Sequence, residues 1–195
     1  METRNGIGIT SAKSRKEWRG WLGKNHAKEK SVWLVLYKKE SGVPSVTHEE
    51  ATDEALCFGW IDSRPNKRDK DSFYLLFSRR SPKSNWSKAN RERVERLIEE
   101  GQMAKPGLEM VALAKKSGTW TALKDVQRSI IPNDLLLALN ENKIALSNFT
   151  GFPPSSKRII LEWILNAKKP ETRLKRIQET VSMAAKGLKA NHYRQ

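Results

Sequence analysis

The residues with the clearest potential for chemistry lie together in the run from Glu54 to Arg64, which reads Glu-Ala-Leu-Cys-Phe-Gly-Trp-Ile-Asp-Ser-Arg. It contains the only cysteine of the chain, Cys57, and an acidic residue, Asp62, close to a basic one, Arg64. A thiolate can act as a nucleophile, and a carboxylate can orient a guanidinium or a ligand amine. Helical spacing up to Phe58 and the helix-ending Gly59 predict that a helix ends and a strand begins here, a junction suited to a pocket.

A second stretch, Ser78 to Ser87, leaves a predicted strand and carries Arg79, Arg80 and Lys83. Ser84 or Asn85 is placed to cap the helix that follows. Free backbone amides at a helix start, with guanidinium groups beside them, can bind an anion. We therefore expect the two stretches to meet at one pocket for an anionic ligand.

In this pocket Trp60 and Trp86 would form walls, and Arg79 and Arg80 would hold the anionic group through paired hydrogen bonds. Asp62 would orient an arginine or a ligand amine. The candidate ligand-binding residues are Asn25, His26, Trp60, Asp62, Arg79, Arg80, Ser84, Trp86 and Asn90.

Two of these chemical interpretations have structural alternatives. His26, at the end of a predicted helix, could instead interact with exposed helix carbonyls. Cys57 could be a nucleophile activated by His26 or Arg79, but its place on an apolar helical turn favours packing, since free cysteines are commonly buried. The residues therefore favour a binding protein over an enzyme and assign no catalytic residue.

The chain is strongly basic, with 37 Lys and Arg against 22 Asp and Glu in 195 residues, a net charge of +15. Such a balance favours anionic partners, either a small ligand or nucleic acid, although a solvated basic surface explains it equally well. Eight basic residues face two acidic ones from Lys168 to Gln195. Without a zinc finger, an RNA-recognition motif or a clear helix-turn-helix, nucleic-acid binding would be nonspecific.

Several classes of protein are disfavoured. One cysteine allows no internal disulfide and no multi-cysteine zinc site, so we expect no metal. Neither a Gly-x-Gly-x-x-Gly motif nor a phosphate loop is present, so we expect no nucleotide cofactor. No secretory signal and no apolar stretch long enough to span a membrane are found, which predicts a cytoplasmic protein.

Residues 1–125 are predicted to form an α+β domain that contains the pocket, with a small antiparallel sheet of three or more strands covered by helices. Its strands are expected near residues 31–39, 60–64 and 73–77, and a hairpin loop at 65–71. Thr47 and Glu50 have capping-box spacing, which starts a helix near His48. Further helices are expected at about 14–28, 86–100 and 103–120. The second is expected to direct Val94, Leu97 and Ile98 inward, and the third contains Leu108, Val111, Ala112 and Ala114 as apolar residues.

Residues 126–195 are predicted to form a helical carboxyl-terminal subdomain with a basic last helix, so helix should exceed strand overall. Pro132-Asn133-Asp134 has the chemistry of a helix start. The segment Asn148 to Pro154 is interpreted as a turn-rich link. Two amphipathic helices follow it, with Ile159, Ile160 and Trp163 on one face of the first and Leu174 and Ile177 on one face of the second.

Together these residues resemble the YdeI/OmpD-associated family, also called the bacteriocin-protection or OmdA family. The resemblance spans nearly the whole chain, and the string Leu56-Cys57-Phe58-Gly59-Trp60-Ile61-Asp62 is its most specific part. The other matching residues are Trp21-Leu22 with Asn25-His26, Trp33-Leu34 with Tyr37-Lys38-Lys39 and Ser41-Gly42, Glu50-Ala51, Arg79 through Trp86-Ser87 and Asn90, Gly101 with Gly107-Leu108, Ala114-Lys115 with Gly118 and Trp120, and Ala167-Lys168 with Glu171-Thr172-Arg173 and Arg176-Ile177.

The resemblance implies a bacterial stress protein associated with protection against bacteriocins or antimicrobial peptides and with an outer-membrane porin. It carries over no catalytic residue and no cofactor. Nothing in it contradicts a binding protein with a Trp- and Arg-lined pocket for an anionic ligand.

Overall fold

The computed structural model describes residues 2–192 of the chain, which form two compact units that divide between Thr121 and Ala122. Met1 and Tyr193–Gln195, including Arg194 of the predicted basic tail, lie outside the described residues. The elements of the first unit are β1 (Thr3–Arg4), β2 (Ile7–Ser11), α1 (Arg15–Asn25), β3 (Ser31–Tyr37), α2 (His48–Cys57), β4 (Trp60–Asp62), β5 (Asn66–Lys67), β6 (Ser72–Arg79), α3 (Lys88–Glu99) and α4 (Lys105–Ser117).

The strands form one sheet in the order β1-β2-β3-β6-β4, and β5 also pairs with β6. Among the described strands, β2 and β3 pair in parallel, with Ile9 opposite Trp33, and the other pairs are antiparallel. The parallel pair is possible because α1 supplies the crossover between these strands. The predicted α+β class, with a mainly antiparallel sheet and more helix than strand, is confirmed.

The central strand β3 separates two apolar layers because its side chains alternate between the faces of the sheet. One face joins the core beneath α1 and α2, formed by Val32, Leu34 and Leu36 with Trp18, Leu22, Ala51, Ala55, Leu75 and Phe77. The other face carries Trp33, Val35 and Tyr74. The apolar run is therefore buried in the middle of the sheet, as its composition predicts.

Helix α2 begins at the predicted capping box. The Thr47 hydroxyl accepts from the Glu50 N–H at 3.2 Å, and the Glu50 carboxylate accepts from the Thr47 N–H at 3.0 Å. At its other end Gly59 adopts a φ of +72°, the left-handed conformation expected of a helix-ending glycine. Both helix signals in the sequence are confirmed.

Glu54 of α2 ties α1 to this helix. Its side chain is only 2% exposed, yet it accepts hydrogen bonds from Arg15 Nε and Arg19 Nη1, each at 2.6 Å. The same two arginines also bind Gln102, through its side-chain and backbone oxygens. A buried carboxylate is tolerated because two cations and their hydrogen bonds compensate for its lost hydration.

Asp53, the neighbouring residue, ties α3 to the same helix. Its carboxylate, 8% exposed, accepts from Arg93 Nη1 at 2.8 Å and from Arg96 Nη2 at 2.5 Å. Adjacent residues on a helix point about 100° apart, so Asp53 and Glu54 reach in different directions and hold different neighbours.

Helix α4 starts in close contact with the end of α2. A Cβ atom on Gly107 would lie 2.2 Å from the backbone oxygen of Cys57. The Ala104 N–H donates to that same oxygen at 3.2 Å. A Cβ on Gly59 would lie 3.2 Å from the Pro106 oxygen. The two glycines therefore allow two stretches of backbone to approach more closely than side chains permit.

Two expectations about α3 and α4 are wrong. The cap of α3 is Ser87, whose hydroxyl accepts from the Asn90 N–H, and not Ser84 or Asn85, so Trp86 precedes the helix. Val94, Leu97, Val111 and Ala114 are buried as expected, but Ile98 and Leu108 are 40% and 44% exposed. These four buried residues lie three positions apart on each of the two helices, which places them on one face.

The second unit consists of helices, α5 (Lys124–Gln127), α6 (Asn133–Asn140), α7 (Lys143–Gly151), α8 (Pro154–Leu165) and α9 (Pro170–Ala185). Its core contains Leu135, Leu139, Ala145, Phe149, Ile160, Leu161, Ile164, Ile177 and Ala184. Arg173 and Asp134 join α9 to α6 through two hydrogen bonds, at 2.6 and 2.9 Å. The predicted helical carboxyl-terminal region is confirmed.

The interpretation of Asn148 to Pro154 as a turn-rich link is wrong for its first half, because α7 runs through it to Gly151. The Asn142 side chain caps this helix by accepting from the Ala145 N–H at 3.0 Å. Ala145 and Phe149 are fully buried. Ile159 and Leu174, expected on apolar faces, are 42% and 57% exposed.

Gly107→Ala tests the close approach of α4 to α2. We expect it to lower the free energy of unfolding by about 3 kcal/mol, the upper part of the range for overpacking, because the contacted atom is backbone and cannot rotate away. Gly20→Ala is the control, since Gly20 is exposed within α1 and a Cβ there meets nothing within 4 Å. It should stabilise by about 0.5–1 kcal/mol. Urea unfolding that gives similar values for both variants would contradict this packing.

Candidate functional site

A cleft of about 540 Å³ opens in the first unit where the end of α1, the α2–β4 junction, the end of β6 and helix α4 meet. Four of the sequence-predicted residues border it, His26, Trp60, Arg79 and Arg80. The remaining lining residues are Ala27, Phe58, Gly59, Pro82, Pro106, Glu109, Met110 and Leu113. The cleft therefore has a cationic side and a broad apolar side.

Arg80 is the most unusual residue of this cleft because it is a buried cation without a carboxylate. It is 4% exposed, and no ion pair found within residues 2–192 includes it. Its Nη2 donates to the Asn85 backbone oxygen at 2.5 Å, and its guanidinium carbon lies 3.7 Å from the centroid of the Trp86 ring. Its Nε is buried and has no hydrogen-bond partner among residues 2–192.

The contacts of Arg80 compensate only in part for the hydration that its guanidinium loses on burial. Burial lowers the pKa of its guanidinium to about 10, so the group remains charged at neutral pH but loses hydration. Stacking on Trp86 recovers part of this loss. A buried N–H without an acceptor normally costs free energy.

Arg79 lies on the exposed side of the cleft, and its hydrogen bonds go to backbone. Its Nε donates to the Glu29 oxygen at 2.7 Å and its Nη2 to the Ala27 oxygen at 2.5 Å. These bonds attach the turn after α1 to the end of β6. Arg79 therefore contributes positive charge to the cleft. Its Nε–H and Nη2–H groups, which were expected to bind a ligand, donate to backbone oxygens instead.

His26 and Trp60 link the same turn to the α2–β4 junction. His26 Nδ1 lies 2.9 Å from the Leu22 oxygen, and since a carbonyl only accepts, Nδ1 carries the proton and Nε2 is the acceptor in the neutral ring. The ring packs 5.2 Å from that of Phe58. Trp60 is 1% exposed and its Nε1 donates to the His26 oxygen at 3.3 Å. Both predicted interpretations of His26 thus fit, a helix-end hydrogen bond and a place in the cleft.

Three further candidates bind elsewhere in the structure. Asn25 donates to the Trp21 oxygen at 2.8 Å and borders a separate cavity of about 240 Å³ beside β2 and β3. Asp62 lies 3.0 Å from His48 Nε2 and therefore pairs with a histidine, not with an arginine of the cleft. Ser84 donates to the Ser81 oxygen at 2.7 Å.

Trp86 supports the cleft from behind, and Asn90 lies outside it. Trp86 is 1% exposed and packs against Trp120, with ring centroids 4.9 Å apart, so it is a floor for Arg80 and does not line the cleft. Asn90 lies in the first turn of α3, where its backbone N–H donates to the Ser87 cap at 3.2 Å. Neither residue borders the cleft.

The apolar wall supplied by α4 is the part of the site that the sequence analysis missed. Pro106, Met110 and Leu113 recur at four- and three-residue spacing, which places them on one face of the helix. Leu113 is 42% exposed although it is large and apolar. This second stripe on α4, apart from the core stripe of Val111 and Ala114, was the signal in the sequence.

A larger depression of about 770 Å³ lies at the other end of the sheet, around the loop from Lys38 to Thr47. It is bordered by Lys38, Lys39, Glu40 and His48, among others. Lys38 Nζ is bound to the Lys70 oxygen at 2.8 Å. This depression has no buried cation comparable to Arg80, so it offers weaker grounds for a site.

Neither a metal cluster nor a membrane helix is found in the described part of the chain. Residues 2–192 contain no group of three or more His, Cys, Asp or Glu placed to hold a metal ion. Among the same residues, each helix is too short or too polar to cross a bilayer.

The fold and the cleft define an α+β protein with a helical second unit and a cleft of cationic and apolar character. The chain belongs to the family of a domain of unknown function (DUF8412), whose model matches residues 10–110. Residues 128–187 match the OmdA model, described as "Bacteriocin-protection, YdeI or OmpD-Associated". The resemblance to that family is therefore confirmed, and the match lies in the helical region.

The two family models match different parts of the chain, DUF8412 the first unit and OmdA the second. The string Leu56 to Asp62, the most specific part of the resemblance, lies within the residues matched by the DUF8412 model and outside those matched by the OmdA model. The cleft described above falls in the DUF8412 region up to Met110. Searches of the curated proteins and of the solved structures gave no match to this chain.

Cys57, the alternative nucleophile, is fully buried in the apolar cluster of Leu56, Trp86, Val94 and Leu97. Burial, followed by the negative charge of Glu54, raises the pKa of its thiol to about 11. At neutral pH such a thiol is therefore protonated. A thiol that is buried and protonated does not suit nucleophilic catalysis.

Iodoacetamide at pH 7.5 should therefore leave Cys57 unmodified in the folded protein, under conditions that alkylate the urea-unfolded chain completely. The measurement is intact-protein mass spectrometry over time. The same reagent on unfolded protein is the control for thiol availability. Alkylation of the folded protein at the rate of the unfolded chain would contradict the buried placement.

Proposed function

We propose that this protein binds an organic anion in the cleft beside Arg80 and that a protective function of the bacteriocin-protection type operates through this binding. The observation that carries the proposal is the Arg80 guanidinium, buried and charged, with Nε lacking an acceptor. The OmdA match over residues 128–187 suggests the protective role. The ligand class comes from the chemistry of the cleft.

The charge of the cleft supports an anion. Arg79 and Arg80 border it, and the one carboxylate in its lining, Glu109, has Lys105 Nζ 3.9 Å away. Low local dielectric strengthens the attraction between a buried guanidinium and an incoming anion. A carboxylate or phosphate group would gain a charge-assisted hydrogen bond at Nε while Trp86 holds the guanidinium plane fixed.

The apolar side of the cleft supports an organic ligand over a simple inorganic ion. Phe58, Pro106, Met110 and Leu113 offer a surface that a bare phosphate cannot use. Sites for small molecules typically combine such a surface with a few fixed polar groups that set the orientation. An anionic head with an aromatic or aliphatic body fits both sides.

Leu113→Glu tests the position of the site without removing an interior residue. The exposed Leu113 borders the cleft, whereas its exposed neighbour Ala112 does not, so Ala112→Glu introduces the same charge outside the lining. With phenyl phosphate as the probe, we expect Leu113→Glu to weaken binding at least about tenfold by repulsion, and Ala112→Glu by less than about threefold. Isothermal titration calorimetry measures both dissociation constants.

Arg80→Lys tests the anchor itself, since lysine keeps a positive charge but lacks the Nε–H and the planar fork. The control is Arg158→Lys, at an exposed position of α8. We expect loss of phenyl phosphate binding only in Arg80→Lys, with circular dichroism reporting that both variants fold. Wild-type protein that binds neither phenyl phosphate nor benzoate at millimolar concentration, or equal affinity in all four variants, would overturn the placement.

A further inference from the structure

The face of the sheet turned away from α1 and α2 carries a second apolar layer. We call it the outer sheet face, formed by Ile7, Ile9, Trp33, Val35, Tyr37, Tyr74 and Leu76. Every member lies on a strand, and no helix residue of the described part of the chain joins this cluster. Tyr37, Leu76 and the two isoleucines are only partly buried. Trp33, Val35 and Tyr74 are themselves buried, so the layer borders solvent only through these four partly buried side chains.

Two arginines lie over the rings of this face. Arg4 has its guanidinium carbon 4.7 Å from the Tyr74 centroid and 5.3 Å from that of Trp33. Arg68 lies 5.8 Å from Tyr74 and 5.9 Å from Tyr37. Tyr74 is thus placed between two cations that share the same aromatic patch.

The two arginines differ in their pairing. No ion pair among residues 2–192 includes Arg4, and its Nε is buried without a hydrogen-bond partner. Arg68 has Asp69 at 3.3 Å and donates to Ser72 at 3.1 Å. Arg4 can therefore accept a new anionic partner without losing a carboxylate.

The surroundings of the outer sheet face are basic. The loop from Arg64 to Asp71 carries four cations and two carboxylates, Asp69 and Asp71. Asp69 is already held by the Ser72 hydroxyl and by backbone N–H groups, which lower its pKa. Ser31, Ser72, Ser78 and Asn66 provide neutral polar groups along the strands at the register positions of this face.

We infer that the outer sheet face binds single-stranded nucleic acid. Unpaired bases stack on aromatic rings and on guanidinium planes, and phosphates are attracted to neighbouring cations. Trp33 and Tyr74 are buried beneath the two arginines, so this surface offers the partly buried Tyr37 ring and the guanidinium planes of Arg4 and Arg68 for stacking. Duplex DNA keeps its bases inside the helix and can use the cations only. This inference is independent of the proposed anion cleft, which lies at the other face of the sheet.

The test uses the full chain and fluorescence anisotropy with a labelled 20-nucleotide uridine RNA and a duplex DNA of equal length. Arg4→Ala with Arg68→Ala removes the two cations of the face. The matched control, Arg128→Ala with Arg158→Ala, removes two exposed arginines of the second unit. We expect the dissociation constant for the RNA to rise at least tenfold in the first pair and less than threefold in the control.

Tyr37→Leu is a second variant that removes a partly buried ring without changing charge or breaking the apolar layer. It should weaken RNA binding about fivefold or more while leaving the slope of log K against log salt unchanged, since no phosphate contact is lost. Equal losses in the sheet-face and control pairs, duplex binding as tight as RNA binding, or no effect of Tyr37→Leu would each overturn the inference.

Discussion

The first unit depends on one arrangement above all, the two adjacent carboxylates of α2 buried between four arginines. Asp53 and Glu54 together bind arginines from α1 and α3, and both carboxylates are less than a tenth exposed. Removing one partner of a buried pair commonly costs about 3–5 kcal/mol because a charge is left uncompensated. Such pairs fix geometry more than they add net stability, and here they fix the direction of α2.

The orientation of α2 determines where the cleft forms. Its last carbonyl, on Cys57, receives the Ala104 N–H, and Gly107 lets α4 approach that carbonyl closely. Gly59 then turns the chain into β4, and its oxygen accepts from the Arg80 N–H at 2.9 Å, so the arginine is held directly against the junction. The cleft is therefore a product of backbone contacts at the end of α2, with Arg80 as its charged group.

Local patterns in the sequence predicted local structure well, but they could not predict ion pairs between residues that are far apart in the sequence. The capping box at Thr47, the turn at Gly59 and the strands β3, β4 and β6 are encoded by patterns over a few residues and were predicted, whereas β1, β2 and β5 were not. Arginines alternate with glutamates along α3, a pattern typical of a solvated face, yet Arg93 and Arg96 reach a carboxylate 40 and 43 residues away. Likewise, the sequence placed Arg80 in a pocket but could not show its burial on Trp86.

The most direct measurement of the central claim, that Arg80 anchors an anion in this cleft, is the NMR signal of its side-chain Nε–H. Phenyl phosphate should move this resonance in a saturable way in the folded wild-type protein, because the buried Nε gains an acceptor. The Leu113→Glu variant should show the shift only at much higher concentration. An unmoved Arg80 signal, with only gradual, unsaturated shifts of exposed arginines, would contradict the account.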